Sequence, residues 1–150
     1  MHAIETQALD NPNEFVANQA RQYVASNGTD IEHPVADRVF VLYFKGRNSG
    51  QIRRVPLVCV EEGDDLLIVA SKGGADHHPT WYLNIDADPN VWVRNKADFY
   101  EARATTLGGE ERAAAWEKLV EAMPFFGDYE RKTDRVMPVI RLARQAHAIA

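Results

Sequence analysis

The chain has 150 residues, of which 45% are hydrophobic and 26% charged, and its formal net charge is -5. These values are typical of a globular protein and argue against a general nucleic-acid-binding protein, which needs an excess of Lys and Arg. No apolar run approaches the roughly 18–20 residues that span a bilayer, and the N-terminus lacks the basic and apolar regions of a signal peptide. We therefore expect a cytoplasmic protein with one domain over residues 1–150.

The first predicted element is a helix over residues 10–28. Asn11 is a suitable N-cap, Pro12 suits the first helical position, and Asn27 followed by Gly28 predicts the helix end. Apolar residues at helical spacing favour a helix that covers one side of the protein body. The alternative is a helix that binds a partner or the membrane surface, to which its few Lys and Arg residues allow only weak attraction.

From residue 39 onward the pattern changes to strands and turns, and we place the protein body at 38–143, after an N-terminal helical segment at 1–30. The predicted strands are VFVLYF, VPLVCVEE, LLIVAS, VWVRN, DFYEARAT and MPVIRLAR, with a hairpin turn at EEGDD. Cys59 lies in the second of these runs, and we expect it to be a buried core residue. A single cysteine cannot form an internal disulfide, which suits a reducing compartment.

Helices are inserted between and after these strands. A short one is predicted at roughly residues 79–86, an amphipathic one at GGEERAAAWEKLVEAM, and a further helical turn at FFGDYERKT. This order lacks the regular alternation of strand and helix that builds a parallel sheet. Five or six strands joined mainly by hairpins predict a mainly β or α+β protein built on a small antiparallel barrel.

Residues 45–54, KGRNSGQIRR, form a basic segment in an otherwise acidic chain. The two glycines allow the backbone to turn and to present N–H groups, and arginine offers forked, permanently charged donors for phosphate or carboxylate. The spacing is not that of a Walker motif, since no Lys-Ser/Thr pair follows the second glycine. The segment indicates a site for one anionic ligand, and the alternative is a solvated hairpin turn.

A second segment suited to anions is SKGGADHHPTWY, residues 71–82. It places Lys72 and two glycines before a helix start, where unpaired N–H groups favour a phosphate or carboxylate. Adjacent histidines on a helix point in different directions, so His77 and His78 are poorly placed to bind one metal, and we predict no metal site.

The aromatic residues that follow allow two interpretations. Trp81 and Tyr82 are either core residues of a short buried helix or, together with Asn84, the wall of a pocket for a flat ring ligand.

Taken together, the segments GRNSGQIRRVPL, VASKGGADHHPTWYLNIDADPNV and FGDYERKTDRVMPVIRL resemble the deazaflavin-dependent nitroreductase family, over roughly residues 39–142. The resemblance implies a split β-barrel of the flavin-nucleotide-binding type with flanking helices. It also implies coenzyme F420 as the cofactor, a deazaflavin with a planar ring, a phosphate and a polyglutamate tail. The expected activity is hydride transfer from the reduced cofactor to an electron-poor acceptor, such as a quinone, an activated olefin or a nitro compound.

By this resemblance, the basic loop would bind the phosphate and ribityl chain, the SKGG turn would line the deazaflavin, and the PxWYxN segment would close the pocket. The implied cofactor-binding residues are Arg47, Asn48, Ser49, Gly50, Arg53, Arg54, Val55, Pro56, Val69, Ala70, Ser71, Lys72, Thr80, Trp81, Tyr82 and Asn84. One of them departs from the family pattern. Asn48 stands where the loop usually has a lysine, and Lys45 or Arg54 is expected to compensate for the lost charge.

The C-terminal lid also departs from the pattern, since Met123 and Phe126 stand where nitroreductase members carry tyrosines, while Tyr129 is kept. These three residues are the expected substrate pocket. The missing hydroxyls weaken the case for reduction of bulky nitro compounds. Tyr129, Ser71 or solvent would supply the proton that the reduced product needs.

Two alternatives stay open at this point. One is an FMN-dependent oxidoreductase of the same fold, and the other is a protein that binds the deazaflavin or a lipid without turnover. The basic segment favours a long polyanionic tail over the single phosphate of FMN. The expected partner is a small-molecule acceptor rather than a nucleic acid. A homodimer, which split barrels of this type often form, and a weak peripheral association with the membrane through the N-terminal helix are further expectations.

Overall fold

A computed structural model describes residues 2–146, so the ends of the predicted range 1–150 lie outside the described part. The helices are α1 (Ala3–Gln7), α2 (Glu14–Ser26), α3 (Thr80–Ala87), α4 (Gly109–Ala122) and α5 (Phe125–Glu130), with short 3-10 turns at Ala36–Arg38 and Lys72–Gly74. The strands are β1 (Val39–Lys45), β2 (Ile52–Val58), β3 (Val60–Glu62), β4 (Asp65–Val69), β5 (Asn90–Asn95), β6 (Asp98–Thr106) and β7 (Val139–Arg144). Across residues 2–146, no helix is both long enough and apolar enough to cross a bilayer.

The seven strands form one antiparallel sheet in the order β2-β1-β5-β6-β7-β4-β3. β2 and β3 therefore lie at opposite edges, although only Cys59 separates them in the chain. In a flat sheet these edges would be about 29 Å apart, at roughly 4.8 Å per strand, whereas two residues of chain span at most about 7 Å. The sheet must curl until its edges meet, which produces the predicted antiparallel barrel.

Apolar side chains fill the inside of the curled sheet. Alternate residues of β1, Phe40, Leu42 and Phe44, pack there with apolar residues of the other long strands, as the alternation of side chains along a strand requires. On the outer face, α4 and α5 cover one part of the sheet, and Leu119 of α4 is fully buried in that layer. Another part is covered by α2 through the buried Tyr23. The helices therefore flank the barrel, as predicted.

The run VPLVCVEE was wrongly predicted to be a single strand. The chain changes from one sheet edge to the other at Cys59, so the run contributes to both β2 and β3, and the sheet has seven strands rather than five or six. Cys59 is buried as predicted, at 4% exposure. Burial raises the pKa of its thiol to about 12, which keeps the thiol protonated and unreactive near neutral pH.

The start of the first predicted helix was also wrong. α2 begins at Glu14, and its N-cap is Asn13, whose Oδ1 accepts a hydrogen bond from Val16 N at 3.2 Å. The Asn11 side chain instead accepts a hydrogen bond from Asn13 N at 2.9 Å, which forms a turn before the helix. The predicted end is confirmed, because Asn27 adopts the left-handed conformation that closes a helix.

Residues before α2 add an element that was not predicted. The short helix α1 docks through Glu5, whose buried carboxylate accepts hydrogen bonds from Arg94 at 2.8 and 2.7 Å. Leu9 then pairs with β2, since its N–H donates to Ile52 O at 2.9 Å and its carbonyl accepts from Arg54 N at 3.0 Å. The chain thus runs along the edge strand β2, which brings the next residues beside the β1–β2 loop.

Candidate functional site

A cavity of about 560 Å³ opens between the β1–β2 loop, the start of α3 and the residues that follow Leu9. Its lining includes four cationic side chains, those of Arg47, Arg53, Arg54 and Lys72. Such a set of cations around one cavity favours an anionic ligand. We call this space the basic cavity.

The β1–β2 loop, residues 46–51, is closed by hydrogen bonds within itself. Gly46 N donates to Gln51 O, and Gly50 N donates to Gly46 O, each at 2.8 Å. Gly50 has a φ of 72°, in the region that glycine adopts readily. A Cβ at Gly46 would lie 2.8 Å from Ser49 Oγ. Both glycines therefore serve the tight turn that carries Arg47 and leads into Arg53 and Arg54 of β2.

Asn84 ties this loop to α3. Its side chain is nearly buried, at 4% exposure, and its Oδ1 accepts hydrogen bonds from Arg47 N at 3.0 Å and from Arg47 Nη1 at 2.9 Å. An unpaired buried amide would be costly, so this pairing holds the loop in a set position against the helix. The role of Asn84 at a ligand ring stays a prediction, while its contact with Arg47 gives it a positioning role.

Arg54 lies in the cavity wall but is already paired. Its Nε donates to Asp10 Oδ1 at 2.6 Å, and its Nη2 donates to Asp10 Oδ2 at 3.3 Å. Burial lowers the pKa of Arg54, but hydrogen bonds to Asp10 and Tyr43 outweigh this effect, so the pKa lies above its ordinary value. Arg54 therefore stays charged, and much of its charge is already neutralised by Asp10.

The turn after β4, residues 71–78, is organised by Arg135. The guanidinium of this residue donates to the carbonyls of Ala70 at 3.0 Å, Ser71 at 2.7 Å and Ala75 at 2.9 Å. It also donates to His78 Nδ1 at 2.7 Å. Only the forked guanidinium offers enough donors in one plane to satisfy all four acceptors. We call this segment the Arg135-held turn.

The two histidines of this turn have separate partners. Burial, together with the charge of Arg135, lowers the pKa of His78, so its Nδ1 is an acceptor at neutral pH. His77 Nε2 instead contacts Lys72 Nζ. Within residues 2–146, no group of three or more His, Cys, Asp or Glu side chains is placed to hold a metal ion.

Two adjacent glycines give the turn its shape. Gly74 has a φ of +81°, and a Cβ added there would lie 2.7 Å from the carbonyl oxygen of Tyr129. Gly73 has a φ of +63°, but a Cβ added there would meet nothing within 4 Å. The turn therefore packs closely against α5 at Gly74, whereas the space around Gly73 is open.

A second cavity, of about 400 Å³, lies beside the first and has largely apolar walls. We call it the aromatic cavity, because α5 contributes Phe125, Phe126 and Tyr129 to its lining. The two cavities are lined by consecutive residues, Val55 and Pro56 on β2, and again around Lys72. The two linings share no residue.

Most of the predicted site residues line one of these two cavities. Those in the basic cavity are Arg47, Asn48, Ser49, Arg53, Arg54, Val55, Lys72, Thr80, Trp81 and Asn84. The aromatic cavity holds the predicted cofactor residues Pro56, Val69 and Ser71, and the predicted substrate residues Phe126 and Tyr129. Four predicted residues, Gly50, Ala70, Tyr82 and Met123, lie outside both linings.

Packing explains three of these four positions. Met123 was predicted to face the substrate, but it is fully buried in the layer between α4 and the sheet. Tyr82 is 8% exposed, and its hydroxyl forms a hydrogen bond with Thr106 Oγ1 at 3.0 Å. It is therefore a core residue, the first of the two interpretations given for it. Ala70, the residue that follows β4, is fully buried, and its carbonyl accepts a hydrogen bond from Arg135.

Asp10 and Arg135 are site residues that the sequence analysis missed. Arg135 lies 60 to 65 residues from the carbonyls that it binds, and Asp10 lies 44 residues from Arg54. Arg135 falls within one of the segments that carry the family resemblance, but neither its contacts nor those of Asp10 follow from a local pattern, because each depends on the fold that brings distant segments together.

Comparisons with known proteins show what the chain is similar to. A model of the F420H(2)-dependent quinone reductase family matches residues 15–143, so residues 10–12 precede the matched region. A curated F420H(2)-dependent quinone reductase of Mycobacterium tuberculosis is 32% identical over 128 residues, which cover 82% of this chain and 85% of that protein.

Two solved structures extend the comparison. The F420-H2 dependent reductase FDR-A is 40% identical, with a TM-score of 0.66, and the match covers 70% of this chain and 93% of that chain. A domain-swapped dimer is 34% identical, with a TM-score of 0.68, and that match covers 88% of this chain and 99% of the other. These similarities confirm the predicted split β-barrel with flanking helices.

Proposed function

Because the chain belongs to the F420H(2)-dependent quinone reductase family, we propose that it reduces electron-poor acceptors, quinones above all, with reduced coenzyme F420 as the hydride source. The observation that carries this proposal is the pair of adjoining cavities, one lined by cationic side chains and the other by aromatic ones. A planar ring joined to an anionic chain has the same division of chemistry.

The residues present fit the demands of this cofactor. The phosphate and the carboxylates of the tail need charge-assisted donors, which Arg47, Arg53 and Lys72 offer in the basic cavity. The ring needs a flat apolar space, which the aromatic cavity offers beside Phe126 and Tyr129. In this assignment Asn48 contributes a neutral donor where a lysine is usual, so the phosphate depends more strongly on Arg53.

The residues of the aromatic cavity have separate roles in this proposal. Phe125 and Phe126 exclude water from the reacting atoms, since both rings belong to the α5 layer that closes the cavity. Tyr129 and Ser71 line the same space, which supports either hydroxyl as the donor of the proton that the reduced acceptor needs. Phe126 carries no hydroxyl and Met123 lies in the core, which favours quinones over bulky nitro compounds.

FMN is the second cofactor that this fold would accept. The charge of the basic cavity favours coenzyme F420, because FMN carries a single phosphate whereas the lining offers Arg47, Arg53 and Lys72 in addition to the paired Arg54. A homodimer is part of the proposal and is supported by the domain-swapped dimer among the similar structures. The proposal also includes a weak association of this protein with the cytoplasmic side of a membrane. It is supported by Phe15 of α2, which is 76% exposed.

Titration of the purified protein tests the cofactor assignment. We expect oxidised coenzyme F420 to bind more tightly than FMN, with an affinity that falls as salt screens the cationic side chains. Steady-state assays with the reduced cofactor and a panel of quinones, activated olefins and nitro compounds then test turnover. Tighter binding of FMN would overturn the cofactor assignment, and tight binding of F420 without reduction of any acceptor would overturn the enzyme assignment.

Arg53→Ala tests the basic cavity itself. We expect weaker F420 binding by about 1.5–3 kcal/mol, the usual contribution of a charge-assisted hydrogen bond. Lys45→Ala is the matched control, since it removes the same charge from the end of β1, where the side chain is exposed and outside the cavity lining. Equal losses in the two variants would show a general charge effect and contradict the assigned role of Arg53.

A further inference from the structure

A third cavity, of about 760 Å³, shares His33 and Pro34 with the aromatic cavity. The three cavities follow one another along the chain from β2 into β3. The basic cavity is lined by residues 53–55, the aromatic cavity by 56–58 and the third cavity by 59–61. Measured along β2, His33 therefore lies on the side of the aromatic cavity that is farther from the basic cavity.

The aromatic cavity offers few polar side chains to a ligand. Its lining consists of proline, glycine, aliphatic and phenylalanine residues apart from His33, Ser71 and Tyr129. The hydroxyls of Ser71 and Tyr129 have the proton-donor role in the proposed function, whereas His33 was not predicted to be a site residue. In a largely apolar pocket the few polar groups fix the orientation of the ligand, so the imidazole is placed to take part in binding.

One ring nitrogen of His33 is used within the protein, and the other is not. Its Nδ1 accepts a hydrogen bond from Val35 N at 3.0 Å. Burial lowers the pKa of His33, so the ring is neutral near neutral pH and carries its proton on Nε2. Within residues 2–146, no other group bonds to this side chain and no unpaired side-chain nitrogen or oxygen is buried. The Nε2–H group is therefore open to the space that His33 lines.

We propose that His33 binds the electron acceptor, by donating a hydrogen bond from Nε2 to a carbonyl oxygen of a quinone in the aromatic cavity. This inference rests on the proposed function and adds a substrate-binding residue to it. The quinone gains a hydride with its two electrons as the reduced cofactor is oxidised. Negative charge then stays on the carbonyl oxygen until a proton arrives from Tyr129, Ser71 or solvent. The neutral imidazole keeps its own proton and stabilises this charge as a hydrogen-bond donor.

The substitutions His33→Asn and His33→Gln separate the roles of the two ring nitrogens. Asparagine keeps an acceptor for Val35 N, as Asn11 does for Asn13 N, but its side chain is too short to place a donor where Nε2 lies. Glutamine reaches that position with an N–H group but loses the acceptor for Val35 N. We expect kcat/KM for a naphthoquinone to fall roughly tenfold to a hundredfold in His33→Asn and to stay within about threefold of wild type in His33→Gln. The affinity for oxidised F420 should keep its wild-type value in both.

His2→Asn is the matched control. The Nδ1 of His2 also accepts a hydrogen bond from the backbone two residues later, Ile4 N at 3.0 Å, but His2 lies outside the three linings. This variant should keep the wild-type kcat/KM. Nitrogen NMR gives a readout that is independent of turnover. In protein loaded with oxidised F420, the naphthoquinone should shift the Nε2–H resonance that is missing from both His33 variants.

Four results would contradict the role of His33 and leave the proposed function standing. They are a wild-type kcat/KM in His33→Asn, equal losses in His33→Asn and His33→Gln, an equal loss in His2→Asn, and a loss of F420 affinity in His33→Asn that His33→Gln recovers. The last would place His33 at the cofactor instead of the acceptor. If His33→Asn folds poorly, wild-type protein decides, because an Nε2–H resonance that the naphthoquinone leaves unmoved excludes the contact. Wild-type protein that reduces no quinone would overturn the proposed function itself.

Discussion

The two segments that the sequence marked as anion-binding are built in different ways. The β1–β2 loop closes on itself through hydrogen bonds from Gly46 and Gly50, and one long-range pairing, with Asn84, orients it. The Arg135-held turn has little regular structure of its own. Its shape depends on a guanidinium from the segment before β7 and on close packing of Gly74 against Tyr129.

The two segments therefore contribute different things to the site: the first supplies charged side chains, and the second supplies backbone held in a fixed position. The β1–β2 hairpin supplies Arg47 from its loop and Arg53 from β2, and Arg53 can be changed with little effect on the fold. The Arg135-held turn supplies backbone and Lys72 at the junction of the two cavities, and it holds its position only through distant contacts. Substitutions should therefore separate the two segments, by affecting binding alone in the first and stability as well in the second.

The largest effect is expected for Arg135→Met. This change removes the donor to the Ala70 and Ala75 carbonyls and to His78, and one of the two donors to the Ser71 carbonyl. We expect a loss of about 3 kcal/mol in the free energy of unfolding, together with weaker cofactor binding. Arg135→Lys should fall between this variant and the wild type, since one ammonium cannot reach all four acceptors. Urea denaturation and F420 titration measure the two effects.

Arg131→Met is the control for this prediction. Arg131 pairs with Asp128 on the exposed surface of the same segment, so its loss should change stability by no more than about 0.5 kcal/mol. If Arg135→Met were as mild as Arg131→Met, the guanidinium would not be what holds the turn.

A smaller effect is expected for Gly74→Ala. The new Cβ would lie 2.7 Å from the Tyr129 carbonyl oxygen at a φ of +81°, so both the contact and the backbone conformation are unfavourable. We expect a loss of about 2 kcal/mol in stability, measured by urea denaturation.

The neighbouring glycine provides the comparison for that substitution. Gly73→Ala has a positive φ but open space around the new Cβ, so only the backbone term remains, about 1 kcal/mol. Equal losses in the two variants would show that packing of the turn against α5 contributes nothing.

The same division between local and distant contacts explains how much could be predicted from the sequence. The antiparallel barrel and the helices follow from patterns within short segments, such as the alternation in VWVRN. Most cavity residues follow instead from the resemblance of three segments to a known family. The break at Cys59 was missed because a buried apolar run continues through it, and nothing local shows that the chain changes sheet edges there. Asp10 and Arg135 were missed for a related reason, since their partners lie far away in the sequence.

The prediction that Met123 lines the substrate pocket shows what a resemblance to a family does not reveal. Its position in the chain places it beside the lid residues Phe126 and Tyr129, which do line the aromatic cavity. Met123 is nevertheless the residue that follows α4, and it is fully buried with Leu119 against the sheet. Which face of a helix end meets a cavity is decided by packing, and a short motif does not contain that information.

The smallest expected effect concerns the protonation of His78. Burial and the charge of Arg135 hold the pKa of His78 below its ordinary value, about 6.5 for an unperturbed histidine. Between these two pKa values the unfolded chain binds more protons than the folded protein, so stability must fall as the pH drops below about 6.5 and is unaffected by this group at higher pH. Protonated His78 would also lose its hydrogen bond from Arg135, which loosens the turn.

Thermal denaturation between pH 8 and pH 5 measures this dependence, and His78→Asn should reduce it. Some dependence should remain in the variant, because burial also lowers the pKa of His33. A pH profile that is unchanged in His78→Asn would mean that Arg135 holds the turn through the three carbonyls alone.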